Sequence, residues 1–151
     1  VGIGLLFSFV KYSQDYLSEY RIENSKPFLG QKLDLAAIAE HLGDPGLADF
    51  AKNPRNVPLI LVFWSSTCIP CLQELPGLQA DHPGAFVLPI NTDPPELLEE
   101  AERNFKLLAP GFAFRHDGEQ KLTKGMKITY LPTQVTVDPQ GIIKNFHVGK
   151  N

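Results

Sequence analysis

The chain has 151 residues, 43% of them hydrophobic, with two cysteines and a formal net charge of −3. That length gives room for one domain around one core. A mildly acidic chain with no basic run has no electrostatic footprint for nucleic acid. Residues 1–10 are apolar except Ser8, and Lys11 ends the run. A bilayer span needs roughly 20 such residues. The run therefore reads either as the remnant of a signal anchor or transmembrane helix, which is the preferred reading, or as the start of a buried helix. Residues 12–22 read as a helix on which Tyr12, Tyr16 and Tyr20 form one row, a packing stripe or else a partner surface. Asn24-Ser25-Lys26-Pro27 breaks it. A second helix is predicted over residues 33–42, with Leu35, Ile38 and Leu42 on its apolar face. Gly43-Asp44-Pro45-Gly46 is read as its end, and Asn53-Pro54-Arg55-Asn56 as a turn.

Residues 57–63 are too uniformly apolar for a half-exposed strand and predict a central strand covered on both faces. A turn through Cys68 and Cys71 follows, then a helix over 72–80 that Pro76 should kink. Residues 85–90 predict the next buried strand. Asn91-Thr92-Asp93 is expected to cap a helix beginning near Pro94-Pro95, with Leu97, Leu98, Ala101, Phe105 and Leu108 toward the core. Glu96, Glu99, Glu100 and Glu102 suit its first turns and a solvated face. A short strand is expected over 112–114, a short helix over 120–126 and a strand over 133–137. A turn at Asp138-Pro139-Gln140-Gly141 leads to an antiparallel strand over 142–148. The alternation predicts an α/β fold, a mixed central sheet with helices on both faces.

The two cysteines are three residues apart between a buried strand and a helix. Cys68 near the helix N-cap meets unpaired N–H groups and the helix dipole, which favour its thiolate. The thiolate attacks disulfides, and Cys71, one turn on, can resolve the mixed disulfide. Pro70 removes a backbone donor and stiffens the turn. Half of a zinc site is the weaker reading, because zinc takes four ligands and His41, His82, His116 and His147 are scattered. A plain structural disulfide would explain the cysteines but not the proline between them. Glu74, one turn past Cys71, could accept its proton or raise the thiol pKa values, or could be an ordinary exposed helix residue.

Cys68, Pro70, Cys71, Glu74 and Pro76, placed after Val62-Phe63-Trp64, resemble the Cys-x-Pro-Cys-x-x-Glu-x-Pro active site of the TlpA/ResA type of thioredoxin-like thiol–disulfide oxidoreductase. The resemblance runs from about residue 57 to residue 149. It implies a thioredoxin-like fold, with residues 57–151 as that domain; residues 25–56 read as a helical entry segment, where the family usually has a short hairpin and an extended approach, and residues 1–24 as an N-terminal helical extension. It also implies a cis Pro132, with Leu131 presenting its backbone to an extended substrate, and Trp64 packed beneath the site. Thr67 and Ile69 complete the site surface. The family's Trp before the first cysteine is Thr67 here, which reduces the aromatic cover. Plain thioredoxin keeps a buried acid where this chain has Val62. Family members generally end with one more helix; either the chain is truncated or another element covers that sheet face, and the helix at residues 12–22 is offered as that cover. The activity implied is reduction of protein disulfides outside the cytoplasm, with no cofactor beyond the Cys68–Cys71 disulfide. Apocytochrome c is among the clients implied, with a membrane thiol reductant as electron donor. The alternatives left open are a disulfide oxidant or isomerase, and a non-enzymatic copper-binding module.

Overall fold

The computed structural model describes residues 21–149. The apolar run at 1–10 and the row of Tyr12, Tyr16 and Tyr20 lie outside the described residues. At the start of the described chain Arg21 and Ile22 are helical, and Ile22 packs against the core.

Four strands form one sheet: β1 (Leu59–Trp64), β2 (Phe86–Asn91), β3 (Thr133–Val137) and β4 (Ile143–Val148), in the order β2-β1-β3-β4. β1 pairs parallel with β2 and antiparallel with β3, and β3 pairs antiparallel with β4. The mixed sheet expected from the sequence is the one observed. β1 is central, and all six of its side chains are buried. They alternate between two clusters, as a strand's period of two requires. Leu59, Leu61 and Phe63 join one face with Leu88, Ile90, Val135, Val137 and Phe146. Ile60, Val62 and Trp64 join the other with Val87.

Two helices cover the first face. Helix α1 (Leu35–Leu42) is capped by Asp34, whose carboxylate accepts from the Ala37 N–H at 3.0 Å. Gly43 ends it at φ 64°, the left-handed conformation that glycine adopts without a Cβ clash. Helix α2 (Pro45–Lys52) follows, where the sequence reading has only a stop signal. Asp44 accepts from Leu47 N–H at 2.7 Å with Pro45 in the first turn, so one tetrapeptide ends a helix and starts the next. Leu47 and Phe50 bring α2 into the same cluster as α1. At the hairpin before β4, Gly141 has φ 89° and passes so close to the Leu33 carbonyl that a Cβ would lie 3.0 Å from it.

The second face is covered by α3 (Ile69–Glu74), α4 (Leu78–Asp81) and α5 (Leu98–Leu108). The single helix expected over 72–80 is instead α3 and α4 joined by a 3₁₀ turn, Leu75–Gly77, because Pro76 and Gly77 interrupt the α ladder. Ala101 and Phe105 are the buried residues of α5. Two expectations are corrected. Residues 91–93 do not cap α5: Asp93 accepts from Ser66 N–H and Asn91 Nδ2, and the chain enters α5 through a 3₁₀ turn, Pro95–Leu97. Residues 112–114 form no strand, because Phe114 turns edge-on to Trp64 and Phe105 and only an Asn91–His116 bridge forms there.

Helix α6 (Lys121–Gly125) is tied down by Asp117, which is fully buried. Asp117 accepts from Leu122 N–H, from Thr123 N–H and Oγ1, and pairs with His41 Nε2 at 2.7 Å. Burial pushes its carboxyl up, but the bonds from Thr123, Leu122 and His41 outweigh that and hold it below the usual carboxylate value. A carboxylate held lower in the folded state stabilises above its unfolded pKa, and that stability is lost as pH falls through the folded value. Asp117→Ala should therefore cost about 2–4 kcal/mol at neutral pH, since four donors lose their acceptor. Denaturant melts should show the gap between wild type and variant shrinking below about pH 4.

Candidate active site

The site grows from the C-terminal end of β1. Trp64 is buried, stacked on Phe105 with ring centroids 5.4 Å apart and met edge-on by Phe114 at 6.2 Å. Its carbonyl accepts from the Thr92 N–H at 2.9 Å, so the last strand residue is fixed from β2's side. The chain then leaves the sheet through Ser65-Ser66-Thr67. Ser65 O accepts from Cys68 N–H at 3.3 Å, Ser65 Oγ and Thr67 Oγ1 lie 3.2 Å apart, and Ser66 N–H donates to Asp93 Oδ2 at 2.8 Å. Asp93 is itself buried, oriented by Asn91 Nδ2 at 2.8 Å and by its own N–H on Asn91 Oδ1 at 3.0 Å. The turn before the first cysteine thus hangs on one buried carboxylate.

Cys68 is the N-cap of α3, with Ile69 and Pro70 in the first turn. Its Sγ accepts from Cys71 N–H at 3.3 Å, and the two cysteines form a disulfide with Cα atoms 5.2 Å apart. In the reduced protein that N–H and the helix dipole favour negative charge on Cys68. Cys68 is half-buried while Cys71 is 1% exposed, so an incoming partner reaches Cys68 first. Thr67 and Pro70 are exposed, and Ile69, 68% exposed, is a large apolar side chain standing in solvent beside the disulfide.

Beneath the cysteines Glu74 is 3% exposed, not the solvent-facing residue that its helix position allows. Gln134 Nε2 donates to its Oε1. Gln134 on β3 sits directly across from Val62 on β1 and from His147 on β4. The Leu131–Pro132 peptide bond is cis. Pro132 is buried, and Leu131 packs against both core clusters, the second of which also carries Trp64, Cys68 and Cys71. Tyr130 beside it is partly exposed, with the Arg21 guanidinium 5.7 Å over its ring. The structure therefore brings Trp64, Cys68, Cys71 and Leu131 onto one cluster, with Glu74 one helical turn below. Sequence reasoning missed Asp93 as an anchor of the turn and missed Gln134 altogether. The available signal was an amide at a core-facing position of a strand otherwise made of Thr and Val.

A half-exposed sulfur and a buried one, bonded at a helix N-terminus on a mixed sheet, define a thioredoxin-like dithiol site. No protein-family model and no curated protein matches the chain in sequence. Solved structures do. StoA from Bacillus subtilis is similar at 25% identity and TM-score 0.50, over 66% of this chain and 79% of that one. The exposed lipoprotein thioredoxin Etrx1 from Streptococcus pneumoniae is similar at 27% identity and TM-score 0.50, over 66% and 80%. A putative thiol:disulfide interchange protein DsbE from Chlorobium tepidum, at 21% identity and TM-score 0.52 over 64% and 70%, shares the fold. The chain is a thiol–disulfide oxidoreductase of the thioredoxin superfamily.

Asp93→Ala should leave the Ser66 N–H and the Asn91 amide without their acceptor. The expected cost is about 1–3 kcal/mol, read from chemical denaturation of the oxidised protein.

Proposed function

We propose that the protein reduces disulfides of other proteins, with Cys68 as nucleophile and Cys71 as resolving thiol. The observation that carries this reading is the asymmetry of the pair: Cys68 half-buried at the helix N-cap, Cys71 buried a turn inside with the buried Glu74 one turn further on. The Cys68 thiolate attacks one client sulfur and the client S–S bond breaks. The released client thiolate takes a proton, and a Cys68–client mixed disulfide remains. Cys71 gives its proton to Glu74 and attacks the Cys68 sulfur, which expels the second client thiolate. Two electrons pass to the client and the Cys68–Cys71 disulfide is left, to be reduced again by another dithiol. Leu131, Ile69 and Thr67 form the surface on which an extended client segment lies beside Cys68, with Pro132 shaping it and Trp64 supporting it from below. Pro70 keeps the turn rigid.

The expected clients are exported cysteine proteins, apocytochrome c among them, with a membrane thiol reductant as donor. Support for an extracytoplasmic place comes from the likeness to Etrx1, described as an exposed lipoprotein. Among the described residues no helix is long and apolar enough to cross a membrane. A tether through residues 1–10 belongs to the same proposal.

One observation favours a second reading. Thr67 is exposed where the resembled family carries an aromatic cover, and an uncovered site suits an oxidant or isomerase as well. Equilibrium titration of the pair against a thiol buffer, followed by Trp64 fluorescence, separates the two. A potential near or below about −250 mV is expected and means a reductase; one near about −120 mV would make it an oxidant. Absence of a reversible two-thiol transition would end the enzyme reading and leave structure or copper binding.

The roles of the two cysteines predict opposite behaviour on substitution. Cys71→Ser should accumulate a mixed disulfide with a protein disulfide substrate, visible as a mass shift removed by dithiothreitol. Cys68→Ser should trap none and should lose turnover by at least about a hundredfold.

A further inference from the structure

Plain thioredoxin carries its buried acid on the central strand, at the position of Val62. Here the acid comes from the helix as Glu74, and the space beside Val62 is taken by Gln134. Both polar side chains are out of solvent, Glu74 at 3% and Gln134 at 5% exposure. A carboxylate that deep requires donors, and a charged acceptor draws a stronger hydrogen bond than a neutral one. Gln134 Nε2 supplies one donor to Oε1, from the strand that begins just after Leu131-Pro132. The contact joins the helix that bears both cysteines to that strand. Among the described residues on this side of the sheet, Cys71 lies one turn before Glu74 and His147 sits across β3 from Gln134, while α4 and α5 carry the exposed Asp81, Glu99, Glu100, Glu102, Arg103 and Lys106.

We infer that Gln134 is a positioning residue for proton transfer: its amide fixes the Glu74 carboxylate beneath Cys71 and favours its ionised form. The inference rests on the reading of Glu74 as the acceptor of the Cys71 proton. An amide holds either state, since Nε2–H donates to the carboxylate and, turned over, Oε1 accepts from the carboxylic acid. The charge-assisted bond is the stronger, so the net effect is to keep Glu74 ionised to lower pH. Without the amide, a higher pH is needed before Glu74 can take the Cys71 proton, and the acid limb of the rate profile moves up.

The test is single-turnover oxidation of the reduced protein by oxidised glutathione, followed by Trp64 fluorescence from about pH 4 to about pH 9. Wild type, Gln134→Met, Glu74→Gln and the double variant are compared. In Gln134→Met the acid limb should rise by about one pH unit. In Glu74→Gln the part of that limb due to Glu74 should vanish, leaving only the limb of the Cys68 thiolate, and the double variant should superpose on Glu74→Gln. If Gln134→Met matches wild type while Glu74→Gln does not, the role of Gln134 is overturned and that of Glu74 stands. If Gln134→Met shifts the profile equally with Glu74→Gln already present, Gln134 acts by another route and the inference is again overturned. If Glu74→Gln itself matches wild type, the reading of Glu74 fails and takes the inference with it. Should Gln134→Met not fold, NMR of the reduced wild type decides. The Gln134 side-chain amide signals should move with the midpoint of the acid limb, and signals constant through it overturn the inference.

Discussion

Burial of β1 on both faces is the constraint on which the rest depends. Six consecutive side chains, from Leu59 to Trp64, are removed from water, and they can be only if each face of the sheet is covered. The first face is covered by α1 and α2, joined through the double-duty Asp44 and Pro45, with Met126 and Ile128 beside them. The second is covered by α3, α4 and α5, with an aromatic cluster in which Trp64, Phe105 and Phe114 meet pairwise. A single large-to-small change among β1's core residues would cost about 2–5 kcal/mol, a large part of the stability of a domain this size.

The same burial places the chemistry. β1 ends where Trp64 is clamped from below, and the chain must turn before it can enter a helix. The Ser66 N–H of that turn is met by Asp93, and the Cys71 N–H donates to Cys68 Sγ. Reactivity then follows from depth. Cys68, at the rim, meets partners and feels the helix N-terminus. Cys71, one turn in, is shielded, and the proposed mechanism sends its proton to a group already inside. Glu74 is such a group, held by Gln134 from the strand that follows the cis Leu131–Pro132 bond. A hydrophobic floor, a polar anchor for the turn and a buried acid beneath the second sulfur form one continuous arrangement.

Buried polar groups elsewhere follow the same rule. Asp117 sits out of solvent and is matched by donors from α6 and His41, and Ser25 Oγ donates to the Met126 carbonyl at 2.9 Å. These contacts fasten the loop between α5 and β3 to the first face of the sheet. That loop carries the chain to Leu131 and the cis Leu131–Pro132 bond, which therefore stand on a scaffold built from the first face.

Local chemistry was legible from residue order alone. The apolar run before Trp64, the Cys-x-Pro-Cys spacing, the Pro76 interruption and the Gly141 turn each express a constraint within a few residues, and the four strands of the sheet lie within a residue or two of those expected. A local signal misleads where the same residues serve two purposes. Asp44-Pro45 is both a stop and a start, and Asp93 looks like a helix cap until Ser66, 27 positions away, claims its carboxylate. Phe112 to Phe114 has the composition of a strand but stays out of the sheet, because the Phe114 ring turns edge-on to Trp64 and Phe105. The depth of Glu74 and the amide that meets it, 60 positions apart in sequence, depend on strand register and helix placement together. No residue pattern carries that information, because desolvation and hydrogen-bond partners are properties of the packed chain.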